Sequence, residues 1–292
     1  MTPFQLLKRQ QQHIRRYAEV TSVHKMRAFY RNAEKDAELR IRRALRGKKD
    51  FEVQHYQALL REIRSMLTEM GEEMATVLQA NAEHVMQTSI AQTLQTTKAF
   101  TFAAAGIEPR FSLESASVAA GLINNVAPSL LTRYREMGRS SWATSTIKKM
   151  EGTISIGLAE GVGSDEIATR IMGREGFAGT RYQADRIART EAMYCTGQAN
   201  LMAGRSMAKD MPGLKKKYIA TMDNRVSPEH LELHGQIFEW EAMIKDSRGH
   251  EAVMPPLRPQ CRCTCIPWSD DWKSMRTLEP LTEKRQAKIL GG

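Results

Sequence analysis

Apolar residues at helical spacing dominate the first third of the chain. In a first run they recur every three or four positions, at Met26, Tyr30, Ala33, Ala37, Ile41 and Ala44. A second run keeps this spacing approximately, at Leu59, Ile63, Met66, Met70, Met74, Val77, Val85 and Ile90. One apolar face at this period is typical of an amphipathic helix, so we predict two long helices that form a hairpin or a projecting arm. Residues 47–50 should end the first helix, Gly71 is the one breaker in the second, and the methionine-rich face is predicted to be ordinary packing.

The rest of the chain shows shorter helical segments and then a change of character. We predict helices at residues 113–121, 129–137, 144–158 and 180–209, another that begins at Ser164, and breaks at Pro128, Gly138 and Gly161. Beyond Pro212 and Gly213, segments 216–222, 236–240 and 261–266 have the composition of short strands. The predicted class is α+β and mostly helical, with a long-helix basic arm or hairpin at 1–108, a helical connector at 109–175, a small α+β module at 176–268 and a tail at 269–292.

Composition excludes several classes of protein. No apolar run approaches the roughly 18 to 20 residues that a membrane-spanning helix needs, and the N-terminus lacks the apolar region and cleavage site of a secretory signal. Three of the four cysteines crowd at positions 261, 263 and 265, which is unlike a disulfide framework. We therefore expect a chain without a membrane segment that is made in a reducing cytoplasm and keeps its thiols.

Positive charge is concentrated at the N-terminus. The formal net charge is +10, and residues 1–50 hold 14 Lys or Arg against 5 Asp or Glu. Such a basic arm could contact nucleic acid phosphates or an acidic protein surface, although charge runs also serve only to solvate a helix face. The candidate contact residues are Arg15, Arg16, Arg27, Arg31, Arg42, Arg43, Arg46, Lys48 and Lys49.

The segment from Asp223 to Cys265 concentrates metal-binding side chains in a region rich in turns. Zinc prefers four nitrogen or sulfur ligands in a tetrahedron, and the candidate ligands are His230, Cys261, Cys263 and Asp223. On a strand, Cys261 and Cys263 would share a face but lie roughly 6.6 Å apart, so their sulfurs must converge to share an ion. Two predictions therefore stay open, a structural zinc site and a metal-free cluster of hydrogen bonds and buried thiols.

Catalysis has weaker support from the sequence. His230 and His234 are four residues apart, but a zincin needs Glu directly after its first histidine and Leu231 stands there. Asp223 and His230 could serve a metal-dependent nuclease. Neither a phosphate-binding glycine loop nor a Gly-x-Ser-x-Gly elbow is present, so we predict a protein that is not an enzyme.

A structural clamp is predicted between the helix at 180–209 and the Asp223 turn. Arg189 or Glu191 could reach that turn, where Arg225 supplies an opposite charge for a buried bidentate pair. Cys195 and Cys265 are predicted to pack as small apolar side chains.

Several fragments in fixed order carry a resemblance to a known family. They are residues 163–168, Arg186 to Glu191, Asn200, Lys217 to Ile219, Asp223 to Val226, His230, Leu233 to Gly235, Pro255-Pro256 and Cys261 to Thr264. Over roughly residues 150–268 the chain resembles the phage Mu F-like head morphogenesis, or minor capsid, proteins. It departs from them in having Arg258-Pro259-Gln260 where the family often has His-Pro-Asn, and His234 where the family often has Asp.

The resemblance implies a non-enzymatic minor head component, placed in the capsid interior near the portal vertex and needed for head morphogenesis or DNA delivery. Its implied partners are the portal protein, other capsid or scaffold proteins and packaged double-stranded DNA. The implied location is the virion, after synthesis in a bacterial host cytoplasm. A nuclease or other metal-dependent DNA-processing enzyme, acting during packaging or entry, is the alternative.

Overall fold

The computed structural model describes residues 2–45, 53–136, 142–160, 162, 164–173, 177, 181–272 and 278–291. Within these residues the chain forms two compact units, each assembled from segments far apart in sequence. Unit 1 comprises Met1–Val20, Asn81–Val126 and Arg189–Gly292, and unit 2 comprises Thr21–Ala80 and Ala127–Ala188. The domain boundaries predicted from the sequence, at 108, 175 and 268, stay predictions.

Helices make up most of both units, which confirms the predicted mostly helical α+β class. In chain order they are α1 (Pro3–Arg16), α2 (Ser22–Leu45), α3 (Val53–Ala105), α4 (Ala116–Glu136), α5 (Thr144–Ala159), α6 (Ser164–Met172), α7 (Arg181–Asp210), α8 (Pro228–Glu232) and α9 (Glu283–Leu290). A π-helical turn at Tyr17–Thr21 joins α1 to α2, and a 3₁₀ turn occupies Ser112–Glu114. The two long helices predicted from apolar spacing are α2 and α3.

Two of the residues that were predicted to break a helix, Gly71 and Pro128, lie within described helices. Gly71 lies within the continuous helix α3, as the apolar period on both sides of it indicates. The break predicted at Pro128 is wrong, because α4 continues through it to Glu136. Pro128 is exposed, so the carbonyl that loses a helical partner can be solvated. The ends predicted at residues 47–50, Gly138 and Gly161 lie outside the described residues.

Unit 2 is held together by the apolar face of α2. Met26, Tyr30 and Ile41 are fully buried, as the sequence predicts. The Tyr30 ring packs edge-on against Trp142 at 6.0 Å between ring centroids and lies 5.0 Å from Phe177. Its hydroxyl donates to the Phe177 carbonyl at 3.0 Å, so the buried polar atom is satisfied. The methionine-rich face of α3 is buried in the same way, at Met66, Met70 and Met74.

Unit 1 contains a small antiparallel sheet with the strand order β2-β1-β5. Its strands are β1 (Lys215–Ile219), β2 (Ile237–Phe238) and β5 (Thr264–Trp268). In register, Tyr218 faces Cys265 across β1 and β5. A second pair, β3 (Ile244–Lys245) and β4 (Glu251–Ala252), forms a short hairpin that the sequence analysis missed. The three predicted strands are present but shorter, and the third begins only at Thr264.

Side chains from several helices cover this sheet within unit 1. The Thr93 hydroxyl donates to the Asn200 amide oxygen at 2.8 Å, and the Asn200 amide nitrogen donates to the Cys265 carbonyl at 3.3 Å. Helices α3 and α7 are thereby connected to β5. An aromatic cluster of Phe100, Trp268 and Trp272 closes the other end of the strand, with ring centroids 5.2 to 6.2 Å apart.

Among the residues that the structure describes, no helix combines the length and the apolar character needed to span a bilayer.

Candidate functional site

Three separate segments of unit 1 converge beside the sheet. Strand β1 leads into the turn at Asp223, the short helix α8 carries His230, and the chain just before β5 carries Cys261 and Cys263. Because β1 and β5 are paired from Lys215 to Ile219, the turn after β1 and the chain before β5 lie at the same end of the sheet. The pairing of distant strands therefore assembles the site.

His230, Cys261 and Cys263 form a compact buried cluster. The His230 Nδ1 atom lies 3.6 Å from the Cys261 sulfur and 3.7 Å from the Cys263 sulfur, and the three ligand atoms are within 4.8 Å of one another. No more than 5% of any of the three residues is exposed. Cys261 and Cys263 precede β5, which begins at Thr264, so they are not part of a regular strand. The 6.6 Å spacing of a regular strand therefore does not apply.

Asp246 lies next to the His230 ring, on the side of the Nε2 atom. Its Oδ2 atom lies 3.6 Å from His230 Nε2, the ring nitrogen remote from the thiols, and its side chain is fully buried. The backbone N–H groups of Arg248 and His250 donate to it at 3.0 and 2.8 Å, and His250 Nδ1 lies 2.9 Å from it. Burial opposes ionisation, but these contacts hold the pKa of Asp246 below its ordinary value. Asp246 was not predicted as a site residue, although Asp followed by Ser-Arg-Gly is a turn signal.

The two thiols differ in their readiness to ionise. A hydrogen bond from Cys261, together with His230 and Tyr218, holds the pKa of Cys263 well below its ordinary value. The same interaction with Cys263, together with burial, raises the pKa of Cys261. Cys263 is therefore the more acidic of the two thiols. Cys265 lies apart from the cluster, and burial raises the pKa of its thiol.

Asp223, the fourth predicted ligand, is outside this cluster. Its carboxylate accepts two hydrogen bonds from Arg262, at 2.5 and 2.8 Å, and these bonds hold its pKa below the ordinary value. The prediction of Asp223 as a ligand is corrected accordingly, because a bidentate guanidinium occupies both of its oxygens. Arg262, which lies between the two cysteines in sequence, was not identified by sequence reasoning.

The predicted clamp has a different composition in the structure. Arg225 is largely exposed, its backbone N–H donates to Asp223 at 3.0 Å, and its guanidinium lies 3.3 Å from Glu19. Glu191 is buried, and Arg189 lines a cleft of about 390 Å³ with Glu19, Arg225 and Arg262. The contact from α7 to the cysteine segment is made by Thr190, whose hydroxyl accepts from the backbone N–H of Gln260 at 3.2 Å. The bidentate partner in this region is therefore Arg262 and not Arg225.

The part of the chain that contains this cluster matches the model of a protein family. Residues 148–266 match the model of the family described as Phage Mu protein F like protein. This segment is Mu F-like. The resemblance predicted from the sequence is thereby confirmed, and the family suggests a phage head morphogenesis protein with capsid-related partners and a place in the virion. No curated protein and no solved structure matches the chain.

The Mu F-like segment contains the His230 cluster, Asp246 and the Asp223–Arg262 pair, but not α1. Helix α1 packs within unit 1 all the same. Leu7 is buried. Arg15 is half-buried and lines a cleft of about 420 Å³, which Asp223 also lines. Burial lowers the pKa of Arg15. Arg15 is therefore a packed residue of unit 1 as well as a member of the basic arm.

The other predicted contact residues of the arm precede the Mu F-like segment and differ in their surroundings. Arg27 makes three hydrogen bonds with Asp185, and Arg42 pairs with Glu38 at 3.0 Å. The exposed members of the set are Arg16, Arg27, Arg31, Arg42 and Arg43. Arg46, Lys48 and Lys49 lie outside the described residues.

We expect Asp223→Asn to lower the stability of unit 1 at neutral pH by about 1–2 kcal/mol, the range for a half-buried, charge-assisted pair. The folded pKa of Asp223 is depressed, so its contribution is complete above the unfolded pKa of about 3.9 and is lost as pH falls through the folded pKa. Urea unfolding from pH 7 to pH 3, followed by tryptophan fluorescence, should show the difference from wild type shrinking on acidification. Asp270→Asn is the control, because that carboxylate is 70% exposed. A difference independent of pH would contradict the ion-pair assignment.

Proposed function

We propose that this protein is a minor head protein of a phage, held in the capsid interior near the portal vertex, and that it acts through assembly and not through catalysis. The match of residues 148–266 to the Mu F-like family carries this proposal. The polar residues of unit 1 support an architectural role, because they are used in internal contacts. The Asp223–Arg262 pair and the Thr190 contact both connect the cysteine segment to other parts of the unit.

In this arrangement the carboxylate that the nuclease alternative requires is paired with an arginine. It requires Asp223 as a metal ligand beside His230, whereas Arg262 holds both oxygens of that carboxylate. The direct test is incubation of the purified chain with plasmid and Mg²⁺, Mn²⁺ or Zn²⁺, alongside His230→Ala. Cleavage by the wild type that the variant lacks would favour the enzyme and contradict the architectural proposal.

Association with the portal can be tested by assembly. The chain would be co-expressed with the portal, capsid and scaffold proteins of the same phage, and particles would be fractionated by sedimentation. We expect the chain to sediment with procapsids and to be bound by the isolated portal protein. Its recovery only in the soluble fraction, with normal particles formed in its absence, would contradict the proposal.

The DNA-contact part of the proposal rests on the exposed arginines of the arm. Deleting residues 1–50 is an unsuitable test, because it removes α1, whose Leu7 is buried in unit 1, and Glu19, which pairs with Arg225 and Arg262. Substitution of exposed side chains leaves this packing in place. Arg16, Arg31 and Arg43 are suitable, since each is exposed and none forms an ion pair with another described residue.

We expect the triple substitution of Arg16, Arg31 and Arg43 to Gln to weaken binding to duplex DNA and to flatten its salt dependence. Each lost phosphate contact should reduce the slope of log K against log salt by about 0.9. Fluorescence anisotropy with a labelled duplex, across a salt series, measures both quantities.

A second triple variant controls for net charge. Arg64, Arg135 and Arg205 lie beyond residue 50, outside the segment that carries the excess positive charge, are 43 to 58% exposed and pair with acidic residues. Their substitution to Gln changes the net charge equally. Equal weakening by both triples would indicate bulk charge alone, and unchanged binding in the first triple would remove these arginines from the DNA interface.

A further inference from the structure

We propose that His230, Cys261 and Cys263 bind a zinc ion, with Asp246 as the carboxylate that orients the histidine and with solvent as the fourth ligand. The proposal is independent of the role in head assembly. It rests on four features of the cluster: the ligand distances, the partner of the remote histidine nitrogen, the chemical type of the ligands and the adjacent cleft.

The distances within the cluster suit a tetrahedral ion. Bonds of about 2.3 Å to sulfur and about 2.0 Å to nitrogen, at a tetrahedral angle, put the two ligand atoms about 3.5 Å apart. The two nitrogen–sulfur distances are 3.6 and 3.7 Å, close to that value. Both thiols converge on one Nδ1 atom, which as a hydrogen-bond acceptor has a single lone pair. An ion at the centre of the three atoms satisfies all of them together.

Asp246 fixes the form of the histidine that a metal requires. A ligating histidine usually donates its remote N–H to a carboxylate, which sets the tautomer and the orientation of the ring. Here His230 Nε2 is buried without a hydrogen-bond partner, and the nearest charge is the fully buried Asp246 carboxylate at 3.6 Å. A proton on Nε2 is attracted to that carboxylate, so the lone pair of Nδ1 is left facing the thiols.

The ligand chemistry selects zinc among common divalent ions. Two thiolates and a neutral imidazole are soft or borderline ligands, which suit zinc and not Mg²⁺ or Ca²⁺. Metal binding would deprotonate both cysteines, and the charge of the ion would balance the charges of the two thiolates.

A cleft of about 340 Å³ gives access to the fourth position. The three ligand residues line it, together with Arg225, Arg258 and Ser227. Among the described residues, no further His, Cys, Asp or Glu joins the cluster. Three protein ligands and one solvent ligand form an open zinc site, and the arginines would favour a hydroxide or another small anion there.

Metal analysis of the full chain, purified under reducing conditions and reconstituted with one equivalent of Zn²⁺, tests the proposal. We expect about one zinc per chain by mass spectrometry after dialysis. Cys261→Ala and Cys263→Ala should reduce this to background, while Cys265→Ala, which removes a buried thiol outside the cluster, should retain it. Chelator treatment should lower the Tm of the wild type and leave the Tm of Cys263→Ala unchanged.

Two further measurements decide the outcome if an alanine variant fails to fold. His230→Cys supplies a replacement ligand and should retain zinc where His230→Ala does not. Cobalt added to the wild type should give the charge-transfer absorption of thiolate ligands. The proposal is overturned if the reconstituted wild type holds no metal, gives no cobalt–thiolate absorption and keeps its Tm in chelator, since a metal-free thiol cluster predicts all three results.

Discussion

Gly197→Ala should destabilise unit 1 by about 3 kcal/mol or more, because overpacking against backbone leaves little room for adjustment. Gly197 lies within α7, and a Cβ atom built there would overlap the carbonyl oxygen of Pro255. The obstacle is main chain and not the end of a flexible side chain, so relief requires moving the segment that leads to Cys261. Urea unfolding followed by tryptophan fluorescence suits the measurement, because three of the four tryptophans, Trp240, Trp268 and Trp272, lie in unit 1.

The control is Gly121→Ala in α4. Gly121 is also a helical glycine of unit 1, but a Cβ atom there meets nothing within 4 Å. Helix propensity favours alanine over glycine by about 0.5–1 kcal/mol at both positions, so the two substitutions should have opposite signs. Similar small effects at both positions would show that α7 does not contact Pro255 as closely as described.

Lys216→Met should cost about 2–4 kcal/mol, since it leaves one buried and two half-buried carbonyl groups without this donor. The Lys216 ammonium is fully buried and donates to the carbonyls of Trp240, Ala242 and Val253 at 3.0, 2.8 and 2.6 Å. Removing the charge recovers part of the desolvation cost that lowers the pKa of Lys216. Three unpaired carbonyls outweigh that gain, because each costs about 1–3 kcal/mol. The readout is again urea unfolding of unit 1.

Lys217→Met is the matched comparison. Lys217 is the neighbouring buried lysine, and its ammonium lies over the Trp268 ring at 3.6 Å from the centroid. Methionine retains a favourable contact with an aromatic ring, so this change should cost no more than about 1 kcal/mol. Equal losses at both positions would indicate that the carbonyl contacts of Lys216 contribute little.

The helices were predictable from the sequence because their signal is local. An apolar face repeated over many turns outweighs a single unfavourable residue, which is why α3 runs through Gly71. The break predicted at Pro128 was wrong because one exposed proline does not remove the packing of the rest of the helix. Strands β3 and β4 have two residues each, and such a short pair is specified by its surroundings more than by its own composition.

The cluster was predictable only as a set of residue types. Histidine and paired cysteines indicated the chemistry, and the structure brings His230, Cys261 and Cys263 together. Which carboxylate stands beside them depends on tertiary packing. Asp223 was predicted as a metal ligand because its pairing with Arg262 was not foreseen. Asp246 lies in a hairpin that was not predicted. Neither the pairing of Asp223 with Arg262 nor the contact of Asp246 with His230 produces a periodic pattern or a motif spacing in the sequence.

The pairing of Glu19 with Arg225 and Arg262 has a consequence for biosynthesis. At roughly 5–20 residues per second, a ribosome needs about 10–50 s to travel from Glu19 to Arg262. During that interval Glu19, in the turn that follows α1, has emerged while the two arginines that pair with it do not yet exist. Unit 1 can therefore close only near the end of translation, so a nascent chain that stalls early should be sensitive to proteases at α1.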